Sequence, residues 1–429
     1  MFKILVVSNI YPFPADTGKK IVMNGFLDYF HSRFGENSVE WIIISNKNIE
    51  EKNISSVGFH NVDVPSSMRR LLSVFFYSFI LRRKSIQESI LYTPALGEMV
   101  CNEIKKSKPD LIMFDTIRAA QYGLPVGYKG DAFLYMDDLF SVRYEKMLNV
   151  LRNGDAENMN VLGNFSNFIP RIIRPAVQKL KFFQKYLLGL EKKLTEKSEI
   201  QTSENFPLNI LLNAEEVALM KARSPGTHVV RAKPILPKPA SNSFLRKYDG
   251  AFTFIFIGVL NYAPNELAIL KFLKEVVPNV IEKCPEFRLR IIGKHASDEL
   301  KDVVSCFSEN VVLEGFVPDL SDALATCCGM LIPLTFGTGI KLKTLEALSY
   351  GVPVISTSVG TEGIPLQSGK DCFINDNFDD FLGLMVFLKD RKNNEMMSEN
   401  AKKFFEENYS KEVIFSEYDQ MFKKYLLQD

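Results

Sequence analysis

The stretch Pro333–Thr357 reads PLTFGTGIKLKTLEALSYGVPVIST. It follows a short apolar run, Met330–Leu334, of the length and composition of a buried strand. A loop with two glycines comes next, Phe336-Gly337-Thr338-Gly339, and then a helical pattern over roughly Ile340–Ser349 that Gly351 is placed to end. A second apolar strand, Val352–Ser356, closes the unit after Pro353. Gly337 and Gly339 let backbone N–H groups approach an anion closely, and the helix start adds a favourable dipole. Lys341 and Lys343 put positive charge at the end of the helix where cations are disfavoured, a broken local rule that an anionic ligand would repair. Lys343 and Glu346 are three apart and share a face. A lysine over a diphosphate and a carboxylate accepting from ribose hydroxyls would grip a nucleotide. The plainer alternative is a surface ion pair, worth a few tenths of a kcal/mol. Lys341 lies on another face unless it precedes the first regular turn.

Outward from this stretch, short apolar runs alternate with helical patterns twice over. In the first half Lys3–Val7, Trp41–Ser45, Leu111–Phe114 and Phe133–Met136 read as strands covered on both faces. The second half restarts with Thr253–Ile257, Leu289–Ile292 and Val311–Leu313 before the two strands already named. Between them Leu270, Leu273, Val277 and Val280 mark one helix face, with Pro278 expected to kink that helix. The expectation is α/β, with two Rossmann-like doubly wound domains facing a central cleft. Residues 1–231 form the first domain and residues 232–250, rich in proline, an interdomain linker. Residues 251–410 form the second, and residues 411–429 a C-terminal helix that could pack back on the first.

Bulk properties narrow the classes. A chain of 429 residues suits two or three domains, and a net charge of +1 gives no reason to expect nucleic acid. The 6 cysteines form no CxxC pair and only 4 histidines are present, which argues against a structural zinc site and for reduced thiols in the cytoplasm. MFKILVVSNIYPFPADTG at the N-terminus reads as a first strand and its loop rather than a signal peptide. Two segments break the pattern. RRLLSVFFYSFILRR (Arg69–Arg83) and Phe165–Lys192 combine apolar and aromatic residues with basic ones. Either could rest on an anionic membrane. The alternative is a pair of core helices whose cations snorkel to water.

The second half resembles the nucleotide-sugar-binding domain of glycosyltransferase family 4 (glycosyl transferases group 1), which has the GT-B fold. The resemblance runs in order through FIGVLNYAPNELAI (Phe256–Ile269), LRIIGK (Leu289–Lys294), VVLEGFVPDLSDAL (Val311–Leu324) and the Gly337–Ile364 block ending STSVGTEGI. A looser likeness in the first half rests on ILVVSNIYPFPADTGKK and LYMDDLFSVRYEKM. Gly337 to Glu346 match a subgroup pattern, G-x-G-x-[RK]-x-K-x-x-E.

The resemblance implies a hexosyl-type glycosyltransferase, usually retaining, that builds lipopolysaccharide or capsule from a nucleotide-sugar donor and a glycan or lipid-linked acceptor. It implies a donor ribose on Glu346 and diphosphate charge met by Lys341 and Lys343. Asn261, Asn265, Gly293 and Gly18 fall at its donor-side loops, and Phe316, Val317 and Pro318 fall where its backbone reads the nucleobase. Asp137 and Asp138 sit where relatives place an acid or histidine near the transferred sugar; N-capping, a surface loop or a metal pair are the other readings of these two. The first acid of the family's E-x7-E motif is Thr338 here, and the basic pair expected after the first strand of the second domain is missing from GVLNYAPNE. Neither a cofactor nor a metal is expected, since lysines, backbone N–H groups and a helix dipole can stabilise the leaving group. The expected place is the cytoplasm, with contact to the inner membrane through the basic-aromatic segments. Two alternatives stay open: a nucleotide-sugar 2-epimerase of the same fold, and a non-catalytic module of a polysaccharide assembly complex.

Overall fold

A computed structural model describes residues 2–45, 57–153, 181–237 and 246–426. The chain divides into two compact units, one of Met1–Asn149, Phe168–Ile235 and Phe415–Asp429, the other of Val150–Asn167 and Leu236–Ile414.

The first unit is built on β1 (Ile4–Ser8), β2 (Val39–Ile44), β3 (Val57–Val62), β4 (Leu111–Asp115), β5 (Asp131–Asp137), β6 (Asn209–Leu211) and β7 (Val229–Arg231). They pair in parallel in the order β3-β2-β1-β4-β5-β6-β7. Every residue of β1 and β4 is buried, as befits continuous apolar strands covered on both faces. The order reverses between β1 and β4, so the loops leaving these two strands flank a switch point, where open α/β sheets place ligands. From Phe415 onward the C-terminal helix Lys411–Met421 belongs to this unit. Tyr418 stacks on Phe26 and meets Tyr29 edge-on, and Phe415 does the same to Tyr29. The Arg33 guanidinium fixes its register by donating to both carboxylate oxygens of Asp419, at 2.7 and 2.8 Å.

The second unit holds β8 (Thr253–Ile257), β9 (Arg288–Ile292), β10 (Val311–Gly315), β11 (Gly329–Ile332), β12 (Val354–Ser356) and β13 (Phe373–Ile374). This sheet is also parallel, ordered β10-β9-β8-β11-β12-β13, with its switch point between β8 and β11. Pro278 breaks the predicted helix rather than bending it: Ala263–Glu275 ends, and Val277–Lys283 begins with the proline in its first turn, where a missing N–H costs nothing. Four strands, β3, β6, β7 and β13, have no counterpart in the sequence reading. Three of them are two or three residues long, and β3 (VGFHNV) has no apolar run.

The basic-aromatic segment Arg69–Arg83 is no core helix. Leu72 and Phe75 on it are 60% and 61% exposed. Of Phe165–Lys192, residues 165–180 lie outside the described residues, as do 238–245 of the expected linker. The helix Lys181–Ser203 that follows exposes Phe182 and buries Leu187 and Leu188. Among the described residues no helix is long and apolar enough to cross a membrane.

Candidate active site

In the second unit the loops after β8, β9, β10 and β11 converge on one edge. The loops after β8 and β9 are pressed together through glycine. A Cβ on Gly293 would lie 1.8 Å from the Gly258 carbonyl oxygen, and one on Gly258 would lie 2.7 Å from Asn265 Nδ2. Gly293 therefore brings two backbones into contact. Asn265 is buried at the start of helix Ala263–Glu275. Its Nδ2 donates to the Val259 carbonyl at 3.0 Å, which turns Oδ1 toward the loop after β11.

That loop needs its glycines: Gly337 has φ 137° and Gly339 φ 71°, backbone that side chains resist. The helix beyond it is Leu342–Ser349, two residues shorter at its start than the sequence pattern suggested. Lys341 is thus the residue before the first turn, and its ammonium folds back to donate to the Gly339 and Thr338 carbonyls at 2.6 and 3.1 Å. Glu362 Oε2 stands 3.7 Å from it. Lys341 therefore braces the loop with a carboxylate at hand, a partner that sequence reasoning missed although Glu362 lies within the quoted STSVGTEGI run.

Lys343 is different. Its ammonium donates to Asn265 Oδ1 at 2.7 Å and lies 4.8 Å from the centre of the Phe256 ring. No carboxylate pairs with it among the described residues, so it does not form the surface ion pair with Glu346 that was the plainer expectation. Burial, and then the charge of Lys341, lower its pKa to about 7. Glu346, one turn on, is half-buried; its carboxylate accepts no hydrogen bond among the described residues, and burial raises its pKa. A cation and an anion three residues apart are both desolvated, and neither is satisfied by the other.

The remaining expected residues lie around this pair. Asn261 is exposed on the loop after β8. Phe316, after β10, is 54% exposed, with the Lys294 ammonium 3.8 Å above its ring. Val317 is partly buried and Pro318 exposed. Thr338 is partly buried in the loop itself.

In the first unit Gly18 is the exposed first residue of helix Gly18–Phe34. Asp137 ends β5 with φ 72°, left-handed backbone that is strained for a non-glycine residue. Its Oδ1 accepts from the Tyr135 hydroxyl at 2.7 Å, and its Oδ2 is 3.3 Å from Lys19 Nζ. Lys19 is also 2.5 Å from Asp115 Oδ1, and Ser8 Oγ donates to Asp115 Oδ2 at 2.6 Å. Burial opposes ionisation of Asp137, but Lys19, the Tyr135 hydroxyl and Arg143 outweigh it and hold the acid below its ordinary range. Asp138 is buried and takes Nη2 of Arg143 at 2.5 Å. At the start of helix Phe140–Asn153 the Leu139 and Ser141 amides donate to Glu216 and Glu199. Lys19, Asp115, Tyr135 and Ser8 were not singled out from the sequence. Only Ser8 and Asp115, the last residues of β1 and β4 at the switch point, could have drawn attention by their position. Among the described residues no group of three or more His, Cys, Asp or Glu could hold a metal ion.

Two parallel doubly wound units, with residues gathered at the strand ends of the second, define the GT-B class. Residues 251–386, which lie within the second unit, match the family model of glycosyl transferases group 1. An uncharacterized 44.6 kDa protein in the cps region of Klebsiella pneumoniae is 33% identical over 172 residues, 38% of this chain and 44% of that protein. Sucrose-phosphate synthase from Thermosynechococcus elongatus superposes with a TM-score of 0.68 at 12% identity, covering 100% of both chains. Anabaena HepE, solved in complex with UDP and glucose, gives 0.63 at 11% identity and covers 98% of this chain and 100% of its own. At such identities the structural matches establish the fold.

Proposed function

We propose that the chain is a glycosyltransferase that moves a hexose from a nucleotide-sugar donor to a glycan or lipid-linked acceptor in bacterial surface polysaccharide synthesis. The observation that carries the reading is Lys343, a desolvated ammonium whose hydrogen-bond partner is the neutral Asn265 amide. A half-buried cation with no carboxylate beside it among the described residues is costly until an anion arrives, and a donor diphosphate supplies one. The Leu342–Ser349 helix start beside it, entered through the positive-φ Gly337 and Gly339, adds a dipole that favours the same anion. Glu346, whose carboxylate has no hydrogen-bond partner among the described residues, suits two ribose hydroxyls. Phe316 offers a flat exposed ring beside the backbone that would read the base. Lys341 would then reach the diphosphate only by exchanging loop carbonyls for phosphate oxygens.

In the reaction the bond from the anomeric carbon to the diphosphate oxygen breaks as the acceptor oxygen bonds to that carbon, and the acceptor hydroxyl's proton passes to the leaving phosphate. Lys343 stabilises the charge gathering on the leaving phosphate, so the step proceeds without a metal, and the configuration at the anomeric carbon is retained. Asp137, held ionised beside Lys19, fits a contact to the sugar or to the acceptor hydroxyl. The relative from the cps region and the UDP and glucose of HepE support the polysaccharide and nucleotide-sugar parts of the reading. The reading implies a cytoplasmic setting at the inner membrane, where activated sugars and lipid-linked acceptors meet.

A thermal-shift panel of nucleotide sugars tests the donor. One of them at a hundred times its Kd stabilises the protein by about 2.7 kcal/mol, and Lys343→Ala and Glu346→Ala each remove that shift; a shift unchanged in both variants would sink the site. Thr338, in place of the family's sugar-contacting acid, favours a second reading, a donor-binding module without transfer. Sugar transfer to a cell-envelope lipid extract, abolished by Glu346→Ala, excludes it.

A further inference from the structure

Helix Ser67–Ser73 runs directly into a π-helix, Val74–Ile80, and the combined element is inside out. Its small polar residues face the fold. The Ser73 hydroxyl donates to the Tyr92 carbonyl at 2.8 Å, and the Ser78 and Ser89 hydroxyls meet at 2.8 Å. Its large apolar residues face water: Met68 is 67% exposed, Phe75 61% and Ile80 57%, with Leu71, Leu72 and Phe76 beside them. The π turn maintains this face. Helical spacing of four leads from Leu71 and Leu72 to Phe75 and Phe76 and on to Ile80, while the Leu81 N–H donates to the Phe76 carbonyl at 2.9 Å, a bond one residue longer than in an α-helix. The same shift sets Ser78 five residues after Ser73, both turned inward. Beside the helix lies an apolar hollow of about 250 Å³ between Leu72, Phe76, Tyr92 and Pro94, with Arg69 among its walls.

The charge carried by this segment is of one sign. Arg69, Arg82 and Arg83 are exposed, Arg70 is partly so, and no Asp or Glu occurs between Asp63 and Glu88. Glu88 itself is buried, bonded to Ser85 and Ser198. A contiguous apolar surface with arginines at both ends calls for a partner that is apolar below and anionic above. A second copy of this face would set arginine against arginine across a two-fold axis. We infer that the Ser67–Arg83 face docks on an anionic lipid bilayer, its aromatic and aliphatic side chains reaching the acyl boundary and its guanidinium groups the headgroup phosphates. The inference gives the transferase reading a means of meeting a lipid-linked acceptor, but vesicle binding requires no donor.

Sedimentation of the full chain with vesicles tests it. With mixed phosphatidylglycerol and phosphatidylcholine vesicles the protein pellets; with phosphatidylcholine alone, or in high salt, binding falls about tenfold or more. The double variants Phe75→Ser with Phe76→Ser, and Arg82→Glu with Arg83→Glu, each weaken binding by a similar factor while circular dichroism and the nucleotide-sugar melting shift stay unchanged. A wild-type chain that ignores both vesicles, or either double variant binding as well as wild type, overturns the inference. So does ultracentrifugation showing a dimer that the serine variant dissociates, because the face is then covered by a second copy. Loss of the nucleotide-sugar shift in the wild type would instead remove the transferase reading and leave the vesicle result intact.

Discussion

At the scale of single residues, Lys343 ties donor binding to pH. Its pKa in the free protein is about 7, and an adjacent diphosphate raises it by favouring the ammonium. Above about pH 7 the free protein has lost that proton and must take it up again on binding, so affinity falls with rising pH; below it, this residue no longer changes affinity. Calorimetry at about pH 8 in buffers of different ionisation enthalpy is expected to show uptake of up to one proton, absent in Lys343→Met. No proton uptake in the wild type would mean that the diphosphate sits elsewhere. Lys19 makes the opposite case, a cation fully matched by acids. Removing it as Lys19→Met leaves Asp115, wholly buried, without its cation. The loss is expected at about 3 kcal/mol in chemical denaturation, and Asp115→Asn combined with it recovers part of that loss.

Among elements, the loops at the second switch point are held by backbone contact, and Gly293 tests this most sharply. A methyl group there overlaps the Gly258 carbonyl, so Gly293→Ala must separate the loops after β8 and β9. It is expected to cost about 1–3 kcal/mol and to weaken donor binding, because Asn265 and Lys343 are both positioned from the β8 loop. Unchanged melting and binding would show that the loops yield without consequence. The strands that place these loops were legible as short apolar runs, and the Gly337–Glu346 segment as an anion-facing turn. What escaped was set by tertiary contact. The pairing of Lys343 with Asn265 spans 78 positions, that of Lys19 with Asp115 nearly a hundred, and neither leaves a local pattern. The start of the site helix was misjudged because Ile340 continues the apolar spacing, whereas Gly339 at positive φ delays the first turn until Leu342. The apolar run of Arg69–Arg83 admitted a buried helix as readily as an exposed one, since periodicity does not say which side meets water. Ser73 and Ser78 settle that orientation once the π turn is known.

For the whole molecule, the two units respond to pH in opposite directions. In the first, Glu191 accepts the Ile86 and Gln87 amides at 2.6 and 3.2 Å, with Glu88 and Arg118 nearby. Glu199 accepts the Ser141 amide at 3.1 Å and faces Arg223 and Asp138. Burial pushes these acids up to about 8 and about 7, far above the unfolded value of about 4.3. A folded pKa above the unfolded one means that the native state holds the proton more tightly. Their contribution is complete below about pH 4 and is lost as pH rises through about 7 and 8. Lys343 in the second unit is lowered, so its contribution is present above the unfolded value of about 10.4 and is lost as pH falls toward about 7. In the first unit Lys84, and below its ordinary value His31, are lowered by burial and oppose the two acids. In the second Glu346 is raised by burial and opposes Lys343, so substitution isolates the groups with the larger shifts. Scanning calorimetry between about pH 6 and about pH 9 should therefore show the first unit's transition falling while the second unit's rises. A nucleotide sugar identifies the second transition by raising it. Glu191→Gln with Glu199→Gln is expected to flatten the first trend, and Lys343→Met the second. Two transitions moving in parallel, or trends that survive these substitutions, would place the titrating groups elsewhere in the chain.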